Sequence, residues 1–233
     1  RTSISSPDPE TGRQPPQYGP NQMPGARADL LSAEGETVYL RDLLFGADGR
    51  RLEKRTPHLF TLTDFLDDSG THRSYWVVAD APSISTGCSG AARNLIRGRL
   101  LSVDGGTVYG YGRKTVHWSN AFLDGPYHLY ARNREADEPS WSRPVPICVR
   151  ALIKAGERLF AAGSCVDTES GTGRGDALLL AFSTADGTPC GRWELSAPPV
   201  FDGLAVARGR LYLALTERSV VCFSGRATQA QAE

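Results

Sequence analysis

The residues Val149-Arg150-Ala151-Leu152-Ile153-Lys154-Ala155-Gly156-Glu157-Arg158-Leu159-Phe160 read as a strand, a glycine turn and a returning strand. Ala177 to Phe182 follows as a third strand, Ala185-Asp186-Gly187 turns, and Gly191-Arg192-Trp193-Glu194-Leu195 leads back out. The cycle then restarts. Leu204-Ala205-Val206-Ala207-Arg208-Gly209-Arg210-Leu211-Tyr212-Leu213 repeats the hairpin, and Val220-Val221-Cys222-Phe223 repeats the third strand. Glycine at such a turn supplies the positive φ that a tight hairpin requires. Four antiparallel strands recurring at about fifty residues mark a β-propeller blade. The expected fold is therefore all-β, a propeller of four-stranded antiparallel blades.

Outward from this stretch, Gly35, Gly105, Gly156 and Gly209 occupy equivalent turns, at intervals of 70, 51 and 53 residues. About four blades are expected, over 27–97, 98–147, 148–199 and 200–225, the last ending at its third strand. The first carries an insertion of roughly twenty residues, most of it between Asp64 and Arg97. Leu40 to Phe45 leaves no room for a loop between second and third strands there, and Arg51 to Phe60 reads as an outward strand ended or bent near Pro57. Trp141 to Ile147 reads as running into the third blade. Residues 1–26, with Pro7, Pro9, Pro15, Pro16, Pro20 and Pro24, read as an extended arm or linker, and 226–233 as a polar tail. A blade short of its outermost strand leaves an unpaired edge. The missing strand and further blades are expected upstream of Arg1; a closed four-bladed ring is the competing possibility.

Charge narrows the function classes. In 233 residues, 26 basic side chains balance 26 acidic ones, so no net field favours nucleic acid or an anionic membrane. No apolar run reaches the length of a membrane span.

The five cysteines, Cys88, Cys148, Cys165, Cys190 and Cys222, form no Cys-x-x-Cys pair, which removes the zinc-ribbon, thioredoxin-like and c-type haem readings. If Gly156-Glu157 are the turn residues, Cys148 faces Cys165 at a non-hydrogen-bonded position. The Cα atoms would then approach to about 4.5 Å, the short end of disulfide geometry. If Ala155-Gly156 turn instead, the two are diagonal neighbours and a bond is harder. Cys148 and Cys165 are thus a candidate cross-strand disulfide, against the alternative of buried free thiols acting as small hydrophobes.

The densest polar cluster runs from Asp64 to Trp76. Asp64, Asp67, Asp68 and His72 are weak candidates for a metal site or an acid/base pair. Asp67-Asp68 lacks the alternating ligand spacing of a calcium loop, and a solvated loop paired with Arg73 explains the cluster better. The loop Asp167 to Asp176 contains Gly171, Gly173 and Gly175, but no Lys-Ser/Thr ending and no following helix, so it reads as a connection and not a phosphate cradle. His58, His72, His117 and His128 are scattered. Ser83 to Ser89, with Cys88, offers no nucleophile elbow. The aromatics around His117-Trp118, with Phe122, Tyr127 and Tyr130, suit either a ligand cleft or the filling beneath a long connection. No catalytic set emerges.

The pattern Ala181-Phe182-Ser183-Thr184-Ala185-Asp186-Gly187, then Pro198-Pro199-Val200-Phe201-Asp202-Gly203-Leu204, then Gly209-Arg210-Leu211-Tyr212, resembles bacterial quinoprotein alcohol dehydrogenase-like (PQQ-like) β-propeller repeat proteins. The resemblance covers roughly residues 28–225 and is strongest after Val149. It departs in the last repeat, where Glu217-Arg218-Ser219 replaces the usual Asp-Gly turn. It implies the C-terminal portion of an exported propeller of seven or eight blades, periplasmic or extracellular. It implies PQQ or Ca²⁺ by kinship alone, since no residues here are assigned to either, and many members are non-enzymatic scaffolds. The leading expectation is a non-enzymatic scaffold for protein or polymer binding, completing a ring with upstream blades or a partner chain. The alternatives are part of a quinone-dependent dehydrogenase-like enzyme and a carbohydrate-binding (polysaccharide) propeller.

Overall fold

The computed structural model describes residues 31–40, 43–53, 56–61, 76–79, 96–113, 127–166 and 173–224. These residues form strands and turns, with no helix among them. The chain divides into two compact units, Arg1–Arg99 with Gly112–Gly125, and Leu100–Tyr111 with Pro126–Glu233.

In the first unit, β1 (Leu31–Glu34), β2 (Thr37–Leu40), β3 (Leu43–Phe45) and β4 (Arg51–Leu52) form one antiparallel meander, and β5 (His58–Thr61), β6 (Trp76–Ala79) and β7 (Ile96–Gly98) form another. Leu40, Leu43 and Phe45 make a small core, and Ser32 Oγ donates to the Leu59 carbonyl between the first strands of the two sheets. The expectation of a single irregular blade over 27–97 is corrected here. Proline at position 57 supplies no backbone donor. The chain leaves the first sheet after β4 and starts a second at His58, so the apparent insertion contains strands of its own. The described residues accordingly hold five sheets, where about four blades were expected.

The second unit contains β8 (Leu100–Asp104), β9 (Thr107–Arg113), β10 (Tyr127–Asn133) and β11 (Trp141–Pro144) as sheet three. Sheet four is β12 (Ile147–Ala155), β13 (Arg158–Val166), β14 (Gly173–Ser183) and β15 (Pro189–Leu195). Sheet five is β16 (Pro199–Ala207), β17 (Arg210–Leu215) and β18 (Val220–Ser224). Trp141 to Pro144 pairs with β10 and closes sheet three, instead of running on into sheet four. The four expected turn glycines all adopt positive φ, from 54° to 70°.

Alternation along β14 explains how these sheets stack. Successive strand residues face opposite sides. Leu178, Leu180 and Phe182 join the core shared with Leu100, Leu129 and Ile147. Leu179, pointing the other way, joins Ala151, Leu211, Leu213 and Leu215. Both faces of β14 are buried, which is why its sequence reads as an unbroken apolar run. Each such leucine contributes about 1.5–3 kcal/mol of burial. The first strands lie beside one another in order: β12 neighbours β8 on one side and β16 on the other. Lys154 on β12 bridges to Asp104 on β8, and its backbone N–H donates to Ser102 Oγ at 3.2 Å. Meander sheets stacked face to face with adjoining first strands are the architecture of β-propeller blades.

Candidate functional site

Two tryptophans on outer strands show how consecutive sheets join and where the joining stops. Trp141, on β11, donates from Nε1 to the Thr184 carbonyl at 3.0 Å. Its indole lies so close to Gly187 that a Cβ there would sit 2.6 Å from Cε3. Gly187 also has φ of 71°, so the turn needs glycine for both its backbone and its neighbour. The turn is fixed from within. Gly187 N–H donates to the Ser183 carbonyl at 2.9 Å and Thr188 N–H to Asp186 Oδ1 at 3.0 Å. Hydrogen bonds to its carboxyl, from the Thr188 backbone amide first and then from the Thr188 and Ser183 side chains, hold Asp186 below its ordinary pKa.

Trp193 stands on the next outer strand, β15, two residues beyond Gly191, which holds in sheet four the ladder place of Trp141 in sheet three. Its ring folds back over Gly191, where a Cβ would come within 2.4 Å of it, and meets Phe223 of sheet five at a centroid distance of 6.2 Å. It remains 38% exposed. Beyond it, β18 has no outer neighbour among the described residues. Val221 and Phe223 are half-buried on one face, while Val220, Cys222 and Ser224 are exposed on the other. Val200, Val206 and Val220 are exposed in sheet five, so the apolar surface of the second unit gathers here. The β17–β18 turn, lacking Asp-Gly, is built differently. Arg218 takes φ of 67°, and Glu217 Oε1 accepts from Ser196 Oγ at 2.7 Å and Ser219 Oγ at 3.0 Å.

The first strands of sheets four and five each carry an irregularity. In β12 the register slips between Val149 and Ala151, and Gly163 opposite is obligatory, because a Cβ there would lie 2.0 Å from the Cys148 carbonyl oxygen. In β16 the ladder breaks between Pro199 and Leu204, and Asp202 in the break has φ of 54°. Asp202 reaches the surface, yet the protein around its carboxyl strips away enough water to push its pKa up.

The β12 bulge also corrects the disulfide expectation. With one extra residue at Arg150, Cys148 faces Ser164 and Cys165 faces Ile147, so the thiols point to opposite faces of the hairpin. Neither forms a disulfide; Cys148 is exposed and Cys165 partly buried. Of the two turns weighed, Gly156-Glu157 is the one adopted, but the bulge was not visible in the apolar pattern.

Asp64, Asp67, Asp68 and His72 lie outside the described residues, as do Ser83 to Ser89, His117, Trp118 and Phe122. Among the described residues no three His, Cys, Asp or Glu side chains come close enough to hold a metal. His58 is fully buried in the first unit, stacked on Tyr39 at 4.2 Å, with Nδ1–H donating to the Thr56 carbonyl at 2.8 Å. It fills a core. His128, on β10, lies 3.4 Å from Ser142 Oγ through Nδ1. The Gly171-to-Gly175 loop is in part strand, since β14 begins at Gly173. No described helix is long and apolar enough to cross a membrane. The tryptophan pair was missed from sequence.

The described sheets define a repeat protein of β-propeller type. No protein-family model matches the chain, and no curated protein does. Among solved structures, the computationally designed Ika4 protein aligns with a TM-score of 0.42 at 11% identity, over 88% of this chain and 94% of its own. BamB from Moraxella catarrhalis aligns with a TM-score of 0.42 at 16% identity, over 84% of this chain and 57% of its own. The chain thus spans less than two thirds of the length of BamB.

Proposed function

We propose that this protein is a non-enzymatic, PQQ-like β-propeller scaffold that binds another protein or a polymer, its sheets completed into a ring by further blades or by a partner chain. The observation that carries the reading is that the exposed large apolar side chains of the second unit, Trp193, Val200, Val206 and Val220, all lie in sheet five or on the strand of sheet four that meets it. Apolar side chains left in water on one sheet suit an interaction site. The rest of the unit invests its apolar residues in packing sheet against sheet.

Native mass spectrometry of the protein isolated without denaturation tests this. A polypeptide or polymer bound in fixed stoichiometry is expected. A protein travelling alone with a bound quinone, seen in its absorption spectrum, overturns the scaffold reading in favour of a dehydrogenase-like role.

A further inference from the structure

An aspartate followed by glycine can be attacked by its own backbone, because glycine carries no side chain to shield its amide nitrogen. Four such pairs lie among the described residues: Asp48-Gly49, Asp104-Gly105, Asp186-Gly187 and Asp202-Gly203. Three of them are tied down. Asp48 Oδ1 accepts from the Arg50 N–H at 3.0 Å, and the Gly49 N–H donates to the Gly46 carbonyl at 2.9 Å. Asp104 is paired with the Lys154 ammonium. Asp186 Oδ1 accepts from the Thr188 N–H, and the Gly187 N–H is engaged by the Ser183 carbonyl. In all three the glycine supplies the positive φ of a tight turn. Asp202-Gly203 is built otherwise. The ladder of β16 passes from Pro199↔Leu215 to Leu204↔Leu213, so neither residue is paired across it. The positive φ, 54°, falls on the aspartate and not on the glycine. Among the described residues, desolvation is the only influence on the Asp202 carboxyl. Packing also keeps glycine at the next position, since a Cβ on Gly203 would sit 2.9 Å from the Val200 carbonyl oxygen.

We propose that Asp202-Gly203 is a site of spontaneous modification, where the folded chain converts aspartate to isoaspartate. The Gly203 amide nitrogen attacks Cγ of Asp202. An N–Cγ bond forms, the Cγ–OH bond breaks, and the amide proton leaves with the hydroxyl as one molecule of water. The five-membered succinimide then takes a water back. Addition at Cγ restores aspartate, whereas addition at the main-chain carbonyl carbon leaves the chain running through the side chain as isoaspartate. Water is the only co-reactant, and the mass is unchanged overall. Desolvation favours ring closure, because it keeps more of the carboxyl protonated and able to release its oxygen as water. The break in β16 favours the product. Isoaspartate adds one backbone atom, which would disturb the register of an intact ladder, but here the register is already interrupted. The inference is independent of the scaffold reading above.

The test incubates the full chain in mildly acidic buffer, digests it, and follows the peptide carrying each aspartate by liquid chromatography and mass spectrometry. Isoaspartate appears as a peptide of unchanged mass that an aspartate-specific protease no longer cuts at that residue. The Asp202 peptide should convert about five-fold or more faster than those of Asp48, Asp104 and Asp186, whose hydrogen-bonded turns must open before they react. In concentrated guanidinium the four rates should converge to within about two-fold, because unfolding removes those turns. Hydroxylamine, which cleaves succinimides, should cut the aged chain after residue 202. It should not cut the Asp202→Glu protein there, since glutamate would have to close a six-membered ring. Conversion at Asp202 no faster than at the other three overturns the proposal. So does a lead at Asp202 that persists undiminished in guanidinium, because the neighbouring residues and not the break in β16 would then set the rate.

Discussion

Sheets four and five lie side by side in the second unit and open with the same hairpin, yet one is enclosed and the other is not. In sheet four, β14 is buried on both faces and the turn after it receives Trp141. In sheet five, β18 occupies the equivalent place with one face exposed, and Trp193 leans on Phe223 without an equivalent cover. The same building plan therefore yields a structural element where both neighbours are present and a surface where the described residues supply only one. Matched substitutions in the two sheets will have unequal effects.

The largest inequality belongs to the tryptophans. Trp141→Ala removes packing on Gly187 and leaves the Thr184 carbonyl without its indole donor, and should cost about 3–5 kcal/mol. Trp193→Ala, at a ring 38% exposed, should cost about 1 kcal/mol. Urea unfolding followed by far-ultraviolet circular dichroism checks both, and equal losses would mean that Trp193 is as fully engaged as Trp141. Leu179→Ala set against Val221→Ala repeats the comparison on the strands, with about 2–5 kcal/mol expected for the buried leucine and clearly less for the half-buried valine.

Turn glycines give a finer comparison. Gly187→Ala combines positive φ with overlap on the Trp141 ring, whereas Gly35→Ala meets positive φ and open space. The first should cost about 2–3 kcal/mol and the second about 1 kcal/mol. A Gly187→Ala protein no less stable than Gly35→Ala would show that the indole gives way freely, and the Trp141 contact would lose its place in the account.

How far the sequence reaches is clearest at these same residues. The hairpins, the third strands and the Asp-Gly turn were legible because glycine position and two-residue alternation act locally, and Ala155↔Arg158 confirms the turn inferred at Gly156-Glu157. The Cys148–Cys165 pairing failed because a bulge is enforced from the opposite strand, by Gly163 against the Cys148 carbonyl. No pattern within β12 announces it. The second sheet of the first unit was missed for a related reason. Its strands are short and widely separated along the chain, His58–Thr61, Trp76–Ala79 and Ile96–Gly98, so they carry little periodicity individually. Trp141 and Trp193 were readable as residues, but their meaning depends on the next sheet. The Asp64-to-His72 cluster falls outside the described residues and stays a reading of sequence.

The smallest effects concern two aspartates, and their signs should be opposite. Asp186 in sheet four is held below its ordinary pKa, near 3.8, by hydrogen bonds that need its charge. Its contribution to stability is present above that value and is lost as pH falls through the lowered folded pKa. Asp202 in sheet five is raised by desolvation, so its proton is held more tightly in the folded chain. Its contribution is most favourable below 3.8 and is lost as pH rises through the raised folded pKa. At neutral pH Asp202 is therefore a charge the fold tolerates at a cost, in a left-handed backbone conformation that asparagine adopts more readily than most residues. Asp202→Asn should raise stability at neutral pH and flatten this part of its pH dependence. Asp186→Asn should do the reverse, lowering stability at neutral pH with the deficit shrinking toward acid. Melting temperatures of both variants across the acid range decide it. A gain at Asp186 or a loss at Asp202 would mean that the irregularity in β16, and not its missing neighbour, sets the character of sheet five.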